Sequence, residues 1–487
     1  MSTTKIYKVK NFINGKFESF ETSTLKVISP LDGTQIGTVS LSDVSVLNEA
    51  VSSAKKAFNS WSKVPIKERV QIFYAYRELL LKNIHELSEL ITIENGKTYS
   101  EAKAEIEKAI ELTEFACSLP QLTAGEVLEV SKGVECKSVY LPLGVVASIV
   151  PFNFPSMVPH WTIPNALVLG NTMIVKPSEQ VPFSLARVAE LLKEAGLPDG
   201  VFNIVNGDRE IVEAICDHPG IEAVSFVGST KVAKLVYKRA TASLKRCLAL
   251  GGAKNHLFLL PDAQPEMAAS NIVASATGCA GQRCMAASTL LAVGNIDEII
   301  NRIVDEAKKG ICGENLGTII NKASKDRIEK YITEAEKEGA TILVDGRNTV
   351  VKGKEGGFYI GPTIIDNVRP EMSVASEEIF GPVLSVIRVS DIGEAISIEN
   401  ANPYGNAAGI FTQNGSHAKF ISERVSCGMV GINIGVPVPR EPFSFGGWNE
   451  SKFGALDITG KSSIEFWTKI KKITTKWTPG ATVNWMS

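Results

Sequence analysis

Three stretches near the amino end repeat apolar residues at the spacing of one helix face, which predicts helices over 43–59, 66–92 and 98–117. In the last of these, Ala102, Ile106, Ala109 and Ile110 recur among glutamates and lysines. Residues 126–147 predict two antiparallel strands, with Val127, Leu128 and Val130 before a Lys132-Gly133 turn and Val139, Tyr140 and Leu141 after it. From residue 144 the pattern changes to short uniformly apolar runs, each followed by helical spacing. Run 145–150 precedes a helix at 157–169, 172–176 precedes 184–195, and 201–205 precedes 208–217. Run 223–227 then passes through Gly228-Ser229-Thr230 into a helix ending near 239.

Strands apolar on both faces, alternating with helices, predict a parallel, doubly wound sheet covered on each side. Such sheets bind ligands at the carboxyl ends of their strands, where Asn153, Lys176 and Gly228 fall. A second strand–helix series starts at 255–260 and continues through 289–293, helices 296–309 and 324–338, then 342–344, 385–389, 408–411 and 429–433. The fold class is therefore α/β, with two doubly wound domains, one Rossmann-like, and a β-strand extension. Residues 1–125 with 148–254 form the first domain, 255–460 the second, and 126–147 with 461–487 the extension. Residues 465–483 read as a strand that reaches a neighbouring subunit together with 126–147.

At 487 residues the chain exceeds what one core organises. A net charge of −2 with acids and bases interspersed offers no field for nucleic acid or an anionic membrane. The first 17 residues lack both a secretory apolar core and an Arg-rich amphipathic pattern, and no apolar stretch is long enough for a bilayer. Eight scattered cysteines form no CxxC pair, so reduced thiols and a cytoplasmic location are expected. Five dispersed histidines make a His-based metal site unexpected.

Candidate chemistry centres on Cys284, which follows Arg283 in a run of small residues from Gly278 to Ala287. A neighbouring cation favours the reactive thiolate, although an isolated cysteine also serves as a small buried apolar residue. Asn153, within Pro151-Phe-Asn-Phe-Pro155, offers an amide to an oxyanion. Lys176 and Glu179 could grip an adenosine ribose, although for these residues taken alone a surface salt bridge is the favoured account. The Gly228-Ser229-Thr230 turn leaves amides free for pyrophosphate. Glu378, in Glu377-Glu-Ile-Phe-Gly-Pro382, puts a carboxylate on a stiff turn, for which a capped loop is the plainer account.

Taken in order, PFNFP, KPSE, FVGST, GQRC, EEIFGP and GINIG resemble the aldehyde dehydrogenase superfamily from Phe12 to about Lys471. Gly281-Gln-Arg-Cys-Met285, Phe152-Asn-Phe-Pro-Ser-Met-Val-Pro159 and Gly252-Ala-Lys-Asn-His256 look like its methylmalonate-semialdehyde branch. The resemblance makes 1–125 with 148–254 the NAD-binding domain, 255–460 the catalytic domain and the extension an oligomerisation element. It implies Cys284 as nucleophile and Asn153 with the Cys284 amide as oxyanion donors. NAD would be held by Val150, Phe152, Lys176, Glu179, Gln180, Ser229, Gly251 and Glu378, with Glu179 repelling a 2′-phosphate. Arg283 and Lys108 would receive the substrate's carboxylate.

Members that hydrolyse their thioester commonly carry a general-base Glu in Glu-Leu-Gly-Gly-Lys. Here the segment is Leu250-Gly-Gly-Ala-Lys254, so Leu250, or Ala249 after a shift of one, stands in that place. Neither accepts a proton, which favours transfer to coenzyme A over hydrolysis. The implied reaction converts methylmalonate or malonate semialdehyde to propionyl- or acetyl-coenzyme A with loss of the carboxylate. A homotetramer, as a dimer of dimers, is implied as well. Lys108 stands where the branch has an arginine, keeping the charge but losing the bidentate fork. Gln180 likewise departs from the basic residue often found after KPSE. The alternatives are a non-acylating NAD(P)-dependent enzyme giving a free acid from a semialdehyde or glyceraldehyde-type substrate, and a non-catalytic protein kept for its fold.

Overall fold

The computed structural model describes residues 6–18 and 23–477. Two parallel-rich sheets and their covering helices form the bulk of the protein. The first sheet has eight strands, in the order Lys452–Phe453, Arg246–Leu250, Ala223–Val227, Val145–Ile149, Thr172–Lys176, Phe202–Ile204, Asn11–Ile13 and Lys16–Glu18. The five from Arg246–Leu250 to Phe202–Ile204 pair in parallel. Every residue of Val145–Ile149 and Thr172–Lys176 is buried, as their unbroken apolar sequences predict. The chain winds outward in both directions from Val145–Ile149, so the crevice beside Ala223–Val227 is a topological switch point.

The second sheet has seven strands, in the order Thr341–Val344, Thr363–Asp366, Val383–Val389, Ala287–Val293, Asn255–Leu259, Ala407–Phe411 and Met429–Ile432. Only its first strand runs antiparallel. Cys284 lies just before Ala287–Val293, at the amino end of a strand, while Asn153 and Lys176 lie at carboxyl ends in the other sheet. The two sheets therefore present opposite strand ends to one cleft. A third sheet joins the hairpin Glu126–Ser131 and Val134–Pro142 to Thr468–Lys476.

Several elements differ from the sequence pattern. The helix expected over 66–92 is two, Ile66–Lys82 and Ile84–Asn95. Asn83 breaks it by turning its side-chain amide back onto the Leu79 carbonyl at 2.7 Å, the competition for backbone groups that keeps asparagine out of helix interiors. Tyr99–Leu122 outruns its expected end at 117, and starts at a capping box between Thr98 and Glu101. The strand expected over 465–483 is a short helix, Ser462–Trp467, followed by Thr468–Lys476; its last residues lie outside the described ones. Arg246–Leu250, whose apolar run Cys247-Leu-Ala-Leu250 carries the strand signal, and helix Pro265–Thr277 were not anticipated. Lys452–Phe453, from the segment assigned to the second domain, pairs as an antiparallel edge on the first sheet.

Candidate active site

The loop bearing Asn153 is fixed from beneath by a buried ion pair. Lys97 donates to Glu105 at 2.6 Å and to the Asn153 carbonyl at 2.8 Å. Its ammonium also lies 4.3 Å from the Phe154 ring centroid. The other Glu105 oxygen accepts the Ser156 and Met157 amides at 2.7 and 3.0 Å, at the start of helix Met157–Val168. Asn95 donates to the Phe152 carbonyl at 2.9 Å. Asn153 then donates one side-chain N–H to the Gln282 carbonyl at 2.9 Å, and its amide nitrogen keeps a second N–H for another acceptor.

The Cys284 loop is held just as tightly. Gln282 donates to the Thr318 carbonyl at 2.9 Å and accepts the Ile320 amide at 3.0 Å. Glu101 accepts the Cys279 amide at 2.6 Å. The side-chain amides of Asn255 and Asn406 both donate to the Cys284 carbonyl at 2.8 Å, fixing the peptide plane that follows the sulfur. Gly281 has φ +71°, and a Cβ there would sit 2.0 Å from the Gly381 carbonyl oxygen. Only glycine permits that approach of the Phe380-Gly-Pro382 turn.

The electrostatics favour a neutral thiol in the unliganded chain. Cys284 is half-buried, and desolvation, then the nearby Glu378 carboxylate, push its thiol up to about 12 against the pull of its own amide and Arg283. Burial raises Glu378 to about 7, countered by the Ala253 amide, which donates to it at 3.0 Å, and by Lys254. Burial lowers Lys254 to about 7, with Glu378 opposing, and its ammonium donates to the Val374 carbonyl at 2.8 Å.

A cleft of about 530 Å³ opens between the sheets, lined by Val150, Phe152, Asn153, Lys176, Glu179, Gln180, Ser229, Gly251, Cys284 and Glu378. A family model for the aldehyde dehydrogenase family matches residues 17–473. The chain is 44% identical over 485 residues to malonate-semialdehyde dehydrogenase 1 of Geobacillus thermodenitrificans (strain NG80-2), covering 98% of this chain and 100% of the relative. It superposes with a TM-score of 0.96 on the crystal structure of methylmalonate-semialdehyde dehydrogenase (DddC) from Oceanimonas doudoroffii, at 41% identity, covering 98% of this chain and 99% of that one. An NAD+ complex of aldehyde dehydrogenase from Bacillus cereus matches with a TM-score of 0.92 at 29% identity, covering 97% of both chains. The chain belongs to the aldehyde dehydrogenase family.

In this aldehyde dehydrogenase the cleft gathers ten of the twelve residues singled out from sequence and leaves out Arg283 and Lys108. The Lys176–Glu179 pair does form, at 3.1 Å, but Lys176 is buried and faces the cleft rather than the outer surface. Gln180 accepts from Asn321, at the cap of helix Lys322–Lys337 on the other side. The Arg283 guanidinium turns onto the end of helix Pro265–Thr277, donating to the Ala274 and Ser275 carbonyls at 2.6 and 2.9 Å. Lys108 pairs with Glu441 at 2.7 Å and Glu111 at 3.0 Å. Lys97, Glu105, Asn255, Asn406 and the cleft-lining Arg327 were not singled out. Lys97 lies in the short link before helix Tyr99–Leu122 and Glu105 within it, where surface charge is the ordinary reading; Asn255 falls inside the quoted Gly252–His256 segment with no role read from it, and Asn406 falls in no quoted motif.

Replacing Lys97 with Met leaves the buried Glu105 carboxylate without its counter-charge and is expected to cost about 3–5 kcal/mol. Urea unfolding checks this, and an unchanged midpoint contradicts it. In the unliganded chain, raising pH from about 7 to 9 is expected to speed Cys284 alkylation by iodoacetamide roughly tenfold per unit, because a thiol titrating near 12 gains thiolate over that whole range. Mass spectrometry of the Cys284 peptide reads the rate, and a plateau below about pH 8 contradicts the assignment.

Proposed function

We propose that this chain oxidises malonate or methylmalonate semialdehyde with NAD and passes the acyl group to coenzyme A. The observation that carries the reading is the end of strand Arg246–Leu250: Leu250 and Ala249 are both apolar and buried where the superfamily's water-activating glutamate would stand. The relatives and neighbours described as malonate- and methylmalonate-semialdehyde dehydrogenases support the substrate class. The residues present fit NAD. Lys176, Glu179 and Ser229 stand at the switch-point crevice, and Gly252 leaves bare a cradle whose added Cβ would meet Glu378 at 2.3 Å. NAD, when bound, supplies the acceptor for the hydride that leaves the aldehyde carbon.

Cys284 attacks the aldehyde carbon through sulfur, while the free N–H of Asn153 and the Cys284 amide receive the oxyanion. Oxidation leaves the acyl group as a thioester on Cys284. The carboxylate β to its carbonyl leaves as carbon dioxide, its bonding electrons pass to that carbonyl, and the α carbon takes up a proton. The thiolate of coenzyme A then displaces Cys284 and frees propionyl- or acetyl-coenzyme A. A second reading, hydrolysis to a free acid, draws on Glu378, a cleft carboxylate held near 7 and close to the sulfur. The engagement of Glu378 with the Ala253 amide favours its holding the nicotinamide ribose instead.

Among the described residues no helix is long and apolar enough to cross a membrane, and a cytoplasmic site of action is part of the proposal. Residues 126–147 and 461–487 are proposed as the element that joins subunits into a tetramer. The apolar side chains of Val127, Leu128, Val130 and Ile470 on the third sheet stand in solvent in the single chain, a surface that a second copy would cover.

With malonate semialdehyde, NADH formation is expected to require coenzyme A; steady turnover without it would select the hydrolytic reading. Cys284→Ala is expected to abolish NADH formation in both cases, and residual turnover within about tenfold of wild type would discredit covalent catalysis. Leu128→Lys is expected to shift the protein to a smaller species in size-exclusion chromatography with light scattering, and an unchanged mass would remove the third sheet from assembly.

A further inference from the structure

Gln180 follows the end of strand Thr172–Lys176, and Asn321 precedes helix Lys322–Lys337 on the other side of the cleft. The Asn321 side-chain amide works in two directions. Its oxygen accepts the Ser324 amide at 2.8 Å, which caps the helix, and its nitrogen donates to the Gln180 side-chain oxygen at 2.7 Å. A backbone N–H can only donate, so the cap fixes which end of the Asn321 amide faces Gln180. The chain leading into Asn321 is already anchored. The Thr318 amide donates to the Gly96 carbonyl at 3.0 Å, and the Ile320 amide donates to Gln282 at 3.0 Å. Asn321 is thus the point where a fixed segment turns into the helix. What the helix carries then faces the cleft, since Ser324 and Arg327 line it opposite Gln180. The inner face of the helix meets the turn between Glu377 and Pro382: Ile328 lies so close that a Cβ on Gly381 would sit 2.7 Å from it. Arg327 donates to the Glu378 carbonyl at 3.4 Å, and Tyr331 donates to the Glu377 carboxylate.

We infer that Gln180 is a positioning residue of the cofactor crevice, which acts through Asn321 to hold helix Lys322–Lys337 at a set distance from the first sheet. Its side-chain oxygen is taken up by Asn321, so its effect on a bound cofactor runs through the helix rather than through that atom. The bond spans the crevice where the two halves of its lining meet, with Glu179 and Gln180 on one side and Ser324 and Arg327 on the other. A wall set in advance does not have to be ordered when the ligand binds, and the affinity otherwise lost to that ordering is retained. Close packing of the helix on the Glu377–Pro382 turn carries any shift of its start towards Glu378.

The inference rests on the reading that this crevice takes NAD, and titration calorimetry of the full chain with NAD tests it. Gln180→Leu removes the acceptor, and Asn321→Ser removes the donor while keeping a residue that caps the helix. Each is expected to raise the NAD dissociation constant about fivefold, the effect of one lost neutral hydrogen bond, with KM for malonate semialdehyde unchanged. The double variant is expected to match either single one, because both delete the same bond. Asn321→Asp is expected to bind NAD as the wild type does, since the Gln180 amide can turn and donate to a carboxylate that still caps the helix. In a Gln180→Leu background, Asn321→Asp is expected to restore nothing. Additive losses, or a loss in Gln180→Leu with none in Asn321→Ser, would make Gln180 a direct cofactor contact and overturn the inference. Unchanged NAD binding in both single variants would overturn it too. A wild-type chain that binds no NAD overturns the cofactor reading itself, and the inference with it.

Discussion

Lys97 and Glu105 carry their charges where water does not reach, with side chains 1% and 0% exposed, and much of the reaction centre is referenced to them. A buried pair of this kind offsets its desolvation only when the remaining donors and acceptors are also satisfied. Here they are: the ammonium finds the Asn153 carbonyl and the Phe154 ring face, and the carboxylate finds two amides at a helix start. What such an arrangement secures is position. The pair joins the link after helix Ile84–Asn95, the second turn of Tyr99–Leu122 and the first turn of Met157–Val168 around one loop. The Asn153 amide is thereby set before any substrate arrives, which is the condition for an oxyanion donor to act without reorganising.

The same helix explains why the site was only partly legible in sequence. The apolar runs of the first sheet announced themselves, because strands buried on both faces admit few polar residues. The cleft-lining Lys176 and Glu179, the Cys284 loop and Glu378 lie in short contiguous motifs, so candidate roles for them could be read locally. Asn255 and Asn406 could not. They act on the Cys284 carbonyl from positions 29 and 122 residues away, and nothing in a single sequence records such a meeting. Arg283 shows the opposite hazard. Adjacency to Cys284 suggested a substrate role, while its long side chain reaches back to helix carbonyls eight and nine residues earlier. Lys108 was assigned to the substrate's carboxylate through the resemblance alone; the structure leaves it outside the cleft lining and pairs it with Glu441, 333 residues away.

The glycines of the cleft show how closely its two sides are fitted. Gly281 meets the Gly381 carbonyl, Gly252 meets the Glu378 carboxylate, and Phe152 stands edge-on to Phe380 at 5.9 Å. In each contact one partner follows the first sheet or the cysteine loop, and the other comes from the turn between Glu377 and Pro382. That turn therefore acts as a shared wall, and a displacement of it would be felt on both sides at once.

This shared wall couples binding to chemistry through charge. Glu378 faces Cys284 closely enough to push the thiol upward, and it also accepts the Ala253 amide beside the crevice of the first sheet. A ligand hydroxyl that donates to this carboxylate, or a cationic ring placed between it and the sulfur, reduces the negative potential at Cys284. Either change favours the thiolate. A neutral resting thiol thus follows from the geometry rather than contradicting catalysis. Burial and the Glu378 carboxylate, which itself accepts the Ala253 amide, both raise the Cys284 thiol, and a ligand that fills the crevice acts on both at once.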